Sequence, residues 1–480
     1  MVARRVLASS VVAACALAAP AAASSDLAVN VALDARVAKE ARNVVDGNAS
    51  TTWCGTRLRI DLGRAQRLSG LGVTASQPVS LAVSRDGRRW RAAGPAPGGE
   101  PAYVRTHGSV RFVRLDAPTQ TCVGELRAFG DAPDMALGHD ISFTQLEEAA
   151  GNTFTDDGRA APVERILRRH GANYARLRLW TAPPAGYPDL ASDLAMARRI
   201  KATGMKIYLD FHYSDFWADP QHQDTPAAWQ GQDLPTLTRT VRDYTRDVIA
   251  AFARQGTPVD LVSIGNEIRN GILWPTGQIQ WGVDERCAAR GDLLKAGVTG
   301  AREANPRHHP LRVMLHFDQG GDNAGSRYFF DHLVAQGVPF DVIGLSYYPF
   351  WHGTLSDLRT NLDDLATRYD RDVMIAEHQY AWTLDYGDST NNFVWSADQL
   401  APGYPASPGG QISMANAILS MLAKVPRHHG AGFFYWEPEW IPGVGWEPGA
   451  GTPNDNLTLF DFHGAALPSI GIFEDPVRSG

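Results

Sequence analysis

The sequence predicts an α/β chain: a (β/α)8 barrel preceded by an all-β sandwich. Three observations lead there. From residue 136 to residue 436, eight apolar, β-branched runs alternate with amphipathic helical patterns, the rhythm of a parallel barrel in which a helix follows each strand. Residues 25–130 instead carry short period-two runs between frequent turn clusters, the pattern of antiparallel sheets packed face to face. Finally, ionisable residues gather at the C-terminal ends of the eight runs, the barrel face on which active sites are built.

The elements follow in order. Residues 1–23 read as a secretory signal: Arg4 and Arg5, an apolar stretch from Val6 to Ala19, then Ala21-Ala22-Ala23 before Ser24. The expected location is extracellular; lipid anchoring through Cys15, within Val12-Ala13-Ala14-Cys15, is the alternative. In the sandwich, Leu58-Arg59-Ile60-Asp61-Leu62 and Val110 to Leu115 alternate, and Ser84-Arg85-Asp86-Gly87 is a turn. Cys54 and Cys122 could bridge this region in an oxidising compartment, leaving Cys287 single. Asp131-Ala132-Pro133-Asp134 reads as a linker to a barrel domain over residues 135–480. Its strand runs are Ala136–Phe143, Tyr174–Trp180, Lys206–Tyr213, Leu261–Glu267, Arg312–Asp318, Asp341–Pro349, Val373–Tyr380 and Gly430–Trp436. Helices are expected over Val163–His170, Leu190–Ala202, Leu234–Arg254, Ala288–Asn305, Leu355–Tyr369 and Ser413–Val425, with Gly171 and Gly204 placed as C-terminal caps. A doubly wound open sheet is the rival, but no glycine-rich phosphate loop accompanies these strands.

Composition narrows the chemistry. A formal charge of −7 over 480 residues argues against a nucleic-acid partner. No segment after the leader approaches membrane-spanning length. There is no GxSxG elbow and no HExxH helix, and His308-His309 and His428-His429 sit in polar loops. A monomer is expected.

The strand ends carry the signal. LVSIGNE delivers Glu267 and VMIAEHQY delivers Glu377. A buried strand has no structural use for a carboxylate, which is costly to desolvate. Two carboxylates at one barrel mouth are what glycosidic hydrolysis needs, one to protonate the leaving oxygen and one to attack the anomeric carbon. Around them stand Arg176, Arg178, His212, Asp215, Asn266, His316, Tyr347, Tyr348, Trp351 and Trp436 as candidate substrate-binding residues. Trp436 is the expected sugar platform, because aromatic faces stack on the C–H faces of sugars.

The barrel region resembles glycoside hydrolase family 53, the arabinogalactan endo-β-1,4-galactanases. The resemblance rests on Gly138-His139-Asp140-Ile141-Ser142, Ala175-Arg176-Leu177-Arg178-Leu179-Trp180, the run from Asp210 to Pro220, Gly265-Asn266-Glu267, Gly271-Ile272-Leu273-Trp274-Pro275, the run from Leu345 to Gly353 and Phe434-Tyr435-Trp436-Glu437-Pro438. It implies retention of configuration, with Glu267 as acid/base and Glu377 as nucleophile, Asn266 on the sugar 2-hydroxyl, and Tyr347 or Tyr348 orienting the nucleophile. Glu267 should then be raised in pKa by burial and by Glu377, and Arg176 or Arg178 should hold Glu377 down. His378-Gln379-Tyr380-Ala381-Trp382 and Arg269 depart from the family pattern and bear on the outer sugar subsites. No cofactor is required. The resemblance also implies a structural calcium joining the loops after the last two strands, with Asp388, Asn392 and Asp455 as oxygen ligands; Thr390 stands where that pattern offers a histidine.

The N-terminal region resembles the discoidin, or coagulation-factor C-type, jelly roll, through Asn43 to Trp53, Leu58 to Gly63, Val113-Arg114-Leu115 and Val123-Gly124-Glu125-Leu126. That implies glycan binding or a spacer. The expected function is therefore a secreted, retaining endo-β-1,4-galactanase acting on galactan in arabinogalactan or pectin side chains. The alternatives are a barrel glycosidase of mannanase or arabinofuranosidase type, or a carbohydrate-binding protein without catalysis.

Overall fold

The computed structural model describes residues 27–47, 51–99, 101–280 and 288–475. The leader, Cys15 and Cys287 lie outside the described residues.

Eight parallel strands close a barrel: β1 (Ala136–Asp140), β2 (Tyr174–Leu179), β3 (Lys206–Phe211), β4 (Leu261–Ile264), β5 (Arg312–Phe317), β6 (Val342–Ser346), β7 (Asp372–Glu377) and β8 (Gly430–Tyr435). β8 pairs back onto β1, Phe434 opposite Gly138. Each strand coincides with a run read from the sequence, β7 starting one residue earlier. The alternation explains the placement of charge. Ala175, Leu177 and Leu179 on β2 join the apolar layer under the helices, so period-two geometry turns Arg176 and Arg178 toward the barrel axis. The barrel interior is packed from below by Tyr208, Leu261, Met314, Val342, Met374 and Phe434. The charged residues of β2 lie above this layer.

Besides a six-residue helix over Thr144–Ala149, the helices are α1 (Val163–Arg169), α2 (Leu190–Ala202), α3 (Leu234–Arg254), α4 (Ala288–Ala304), α5 (Asn323–Ala335), α6 (Leu355–Tyr369) and α7 (Pro408–Leu422). α3 buries Leu237, Val241, Val248, Ile249 and Phe252 along one stripe, and the Asp233 carboxylate caps it by accepting the Thr236 N–H at 2.9 Å, a cap worth about 1 kcal/mol. The short helix over Thr144–Ala149 lies outside the expected set, and two of the longer helices also differ from expectation. α7 begins five residues before Ser413, because Ser407 caps it and Pro408 occupies its first position, a start signal masked by Gly409-Gly410. Gly410 is required there: a Cβ would lie 1.9 Å from the Pro405 carbonyl oxygen. α5 was not expected at all; Asp322 caps it by accepting Gly325 N–H in a stretch whose glycines read as loop.

Residues 28–131 form a six-stranded sheet of antiparallel character. Its two long strands, Trp53–Ala75 and Ser109–Asp131, pair Leu58 with Leu115 and Ile60 with Val113. Leu58, Ile60, Leu81, Val113 and Leu115 are buried together, while Arg57 and Arg59 between them are exposed. A disulfide joins Cys54 to Cys122. This sheet is seated on α7. Leu27, Val29 and Leu33 enter the barrel's own apolar layer. Asn30 N–H donates to Ser420 Oγ at 2.9 Å and Lys424 Nζ donates to the Leu33 carbonyl at 2.6 Å.

Candidate active site

Glu267 leaves β4 through two left-handed residues. Gly265 has φ +90° and Glu267 itself φ +48°, a region that non-glycine residues occupy rarely and at a cost, typically at functional sites. The turn swings the carboxyl into a cleft of about 440 Å³ at the C-terminal mouth of the barrel, where it stays partly exposed. Glu377 ends β7 and faces it. A register shift after Leu345 sets Ser346 opposite Glu377. Facing oxygens of the two carboxylates, together with a ring nitrogen of His316, lie within 4.8 Å of one another.

The two carboxyls have opposite surroundings. Glu377 is 5 % exposed. Its Oε1 is 2.6 Å from Arg176 Nη1, and its Oε2 accepts the Tyr348 hydroxyl at 2.8 Å. Burial pushes its pKa up, but Arg176, His316 and the Tyr348 hydrogen bond outweigh that and hold it below the ordinary 4.5. Among the described residues, Glu267 has no cation paired with it. Burial first, then the charges of Glu377 and Asp318, drive it well above the ordinary value. One group is thus an acid and the other a carboxylate at the same pH.

Arg176 is fully buried and is the hub of the polar layer, 2.6 Å from Asp210 Oδ2 and 3.1 Å from Asp140 Oδ2 as well as pairing with Glu377. Its Nη2 donates to Asn266 Oδ1 at 2.9 Å, and Asn266 Nδ2 donates to the Ala218 carbonyl at 2.8 Å. His316 Nδ1 sits 2.9 Å from that same Asn266 Oδ1, and its Nε2 is 2.9 Å from Ser346 Oγ. Ser346 Oγ in turn is 2.6 Å from Glu267 Oε1.

The candidate residues divide into three places. Arg178, His212, Asn266, Tyr348, Trp351 and Trp436 line the cleft with the two glutamates. Arg178 Nη2 pairs with Glu437 at 2.7 Å, so of the two arginines it is Arg176 that holds Glu377. His212 Nδ1 accepts from Trp180 Nε1 and from Ala218 N–H, which leaves its Nε2–H as the donor. Arg176, His316 and Tyr347 stand behind the cleft wall, each fully buried; the Tyr347 hydroxyl donates to the Gly353 carbonyl instead of to a carboxylate. Asp215 lies in a neighbouring hollow with Trp229 and Trp274, where it accepts the Ala227 N–H at 2.8 Å.

Two other wall residues carried little sequence signal. Trp446 and Phe393 come from the long loops after β8 and β7, which have no periodicity to read. Trp446 stacks on Trp217 with ring centroids 4.0 Å apart. Arg269 and Asp318 face each other across the rim at 3.2 Å, and Gln379 is fixed to the Trp436 carbonyl. Of the other tryptophans at strand ends, Trp180 and Trp440 are fully buried packing.

Asp388, Asn392 and Asp455 do converge. Asp455 Oδ2 accepts the Gly387 and Asp388 N–H groups, and Asp388 Oδ2 accepts Thr452 N–H. Asn392 Oδ1 and Asp455 Oδ1 are buried, and among the described residues no hydrogen-bond donor reaches either. Two unserved oxygens beside a carboxylate suit a hard cation.

Two carboxyls this close, one pressed toward its protonated form and one ionised, at the mouth of a closed barrel, define a barrel glycoside hydrolase. Residues 136–473 match glycosyl hydrolase family 53, and the chain belongs to that family. It is 42 % identical over 339 residues to an uncharacterized protein of Niallia circulans, covering 69 % of this chain and 92 % of that one. It is 35 % identical to an arabinogalactan endo-β-1,4-galactanase of Thermothelomyces thermophilus over 344 residues, 70 % of this chain and 98 % of the other. Among solved structures it resembles the family 53 catalytic domain of Ignisphaera aggregans at 36 % identity and a TM-score of 0.67, covering 71 % of this chain and 95 % of that chain.

Proposed function

We propose that the protein is a secreted endo-β-1,4-galactanase that cleaves galactan with net retention of configuration. The observation that carries this reading is the carboxylate pair within 4.8 Å: retaining enzymes hold their carboxyls about 5–5.5 Å apart, whereas inverting ones leave about 6.5–9.5 Å for a water. The preference for galactan draws on the family and on the named activity of the Thermothelomyces relative.

Glu377 attacks the anomeric carbon as Glu267 protonates the departing oxygen, giving a glycosyl ester on Glu377. Glu267, now ionised, takes a proton from water, which opens the ester. Arg176 and Tyr348 keep Glu377 ionised and aimed. The second Nδ2 hydrogen of Asn266 is the donor offered to the sugar 2-hydroxyl, whereas His212 Nε2–H faces Asp210 Oδ2 at 3.5 Å inside the wall. Trp436 and the Trp217–Trp446 stack supply aromatic faces for sugar rings. The chemistry uses no cofactor. Asp388, Asn392 and Asp455 would hold a calcium ion that straps the loops after β7 and β8, which carry Phe393 and Trp446. The N-terminal sheet is proposed to bind glycan, and residues 1–23 to direct export.

Replacing Glu377 with Gln should abolish hydrolysis while the melting temperature stays near wild type; substantial residual turnover sinks the nucleophile assignment. Assaying the purified protein on galactan, mannan and arabinan decides the sugar. Faster turnover of either of the latter two replaces this reading with the mannanase or arabinofuranosidase type.

A further inference from the structure

Glu267 has to serve as an acid in one half of the reaction and as a base in the other, and among the described residues no cation is paired with it. Burial and the charges of Glu377 and Asp318 press it toward the acid form, and behind it runs a chain of polar contacts. Asn266 has its amide direction fixed from two sides, Nδ2 donating to the Ala218 carbonyl and Oδ1 accepting from Arg176. Its Oδ1 therefore presents only lone pairs to His316 Nδ1, 2.9 Å away. The ring must carry its hydrogen on Nδ1 to make that bond. In a neutral ring this leaves a lone pair on Nε2, aimed at Ser346 Oγ at 2.9 Å. Ser346 owns one hydrogen, and it lies between that nitrogen and Glu267 Oε1 at 2.6 Å.

We propose that His316 keeps Glu267 in its acid form by drawing the Ser346 hydroxyl hydrogen to itself, so that Ser346 offers Glu267 a lone pair instead of a donor. The hydrogen-bond chain then runs Glu267 O–H to Ser346 Oγ, Ser346 O–H to His316 Nε2, and His316 Nδ1–H to Asn266 Oδ1. Every hydrogen in it has an acceptor. With Glu267 ionised, the Ser346 hydrogen must turn toward the carboxylate and leave two lone pairs facing each other across the Ser346–His316 gap. That mismatch favours reprotonation of Glu267 after each turnover. His316 and Ser346 are positioning residues in this scheme: His316 is fully buried and neither residue lines the cleft.

The neutral ring is consistent with its surroundings. Burial, with Arg176 and His212 opposing Glu377 and Asp210, brings His316 down to about 4. The other charged and titratable groups facing Glu267 are Glu377, Tyr348, Asp219, His352 and Asp318 with its partner Arg269. None of these reaches Ser346 Oγ in the hydrogen bonds found for it.

The inference rests on Glu267 being the acid/base, and the experiment separates the two. First, the ring nitrogens of His316 in the wild-type protein are read by nitrogen-15 NMR between pH 5.5 and 7.5. A neutral ring protonated at Nδ1 is expected; an Nε2–H tautomer or an imidazolium overturns the proposal without any mutation. Second, the basic limb of kcat/KM on galactan is compared across variants. His316→Gln places an amide donor against Ser346, returns the hydroxyl hydrogen to Glu267 and should lower that limb by about half a unit to one unit, the size of one hydrogen bond. In a Ser346→Ala background the same substitution should leave the limb unmoved, whereas Ser346→Thr keeps the hydroxyl and should restore the shift. A His316→Gln limb that stays put, or that shifts equally with Ser346→Ala present, overturns the relay. Absence of galactan hydrolysis by the wild type would instead strike the proposed function and leave the tautomer result standing.

Discussion

Removing one oxygen from Tyr348 tests how Glu377 is kept ionised. The Tyr348 hydroxyl donates to Glu377 Oε2 at 2.8 Å. Tyr348→Phe deletes that bond and little else, because the ring is 5 % exposed and packed, its centroid 5.6 Å from that of Trp351. A hydrogen bond to a charged group is worth about 1.5–3 kcal/mol, and a pKa unit corresponds to about 1.4 kcal/mol. The carboxylate should therefore rise by about one to two units, with the lower end favoured because Arg176 still pairs with Oε1 at 2.6 Å. The assay is the pH dependence of kcat/KM, whose acid limb reports the group that must be ionised. That limb should move upward by about one unit while the basic limb stays nearly in place. Stability follows the same sign. Glu377 is lowered in the fold, so its stabilisation is present above the unfolded value and lost as pH falls through the folded one; the variant should lose melting temperature at pH 7, and the loss should shrink as pH falls through the folded value. An unmoved acid limb, or a shift of the basic limb alone, would refute the assignment of Glu377 as the ionised partner.

Glu267→Ala should cost far more on polymer than on aryl galactosides with good leaving groups, which need little protonation; equal losses in steady-state assays would remove its acid role. If Asp388, Asn392 and Asp455 hold calcium, chelation should lower the melting temperature and added calcium restore it, and Asp455→Ala should abolish the difference; a curve indifferent to chelator removes the ion. His170, 2.6 Å from Glu474 and 3.2 Å from Asp156, is raised above 6.5, mainly by the Glu474 hydrogen bond. Its stabilisation is full below about 6.5 and is lost as pH rises through the folded value. His170→Ala should thus lower the melting temperature more at pH 5.5 than at pH 8.5, by an amount worth about 1 kcal/mol or less for a partly exposed pair.

Within the polar layer, the sequence located residues better than it assigned their work. Arg176 and Arg178 read alike in Ala-Arg-Leu-Arg-Leu, since period two sends both inward. Two residues' rise along the strand makes the difference: Arg176 meets three carboxylates below the cleft, Arg178 meets Glu437 and the Phe143, Trp180 and Trp217 rings. Tyr347 and Tyr348 are likewise adjacent, and only the strand's facing tells which hydroxyl reaches Glu377. Asp215 sits in a strand-end motif but its loop carries it into the neighbouring hollow.

What the sequence determined on its own was everything local periodicity can encode. The eight strands, most of the helices and the two strand-end glutamates follow from patterns within about ten residues of each position. What the tertiary structure decided was every relation between residues far apart in the chain: Glu267 against Glu377, Arg176 as the hub of three carboxylates, Ser346 between His316 and Glu267, Trp446 on Trp217, and the N-terminal sheet on α7. Those pairings are fixed by barrel closure and by loop paths. A carboxylate's pKa is set by the charges and burial that closure brings to it, so its chemistry exists only in the folded chain.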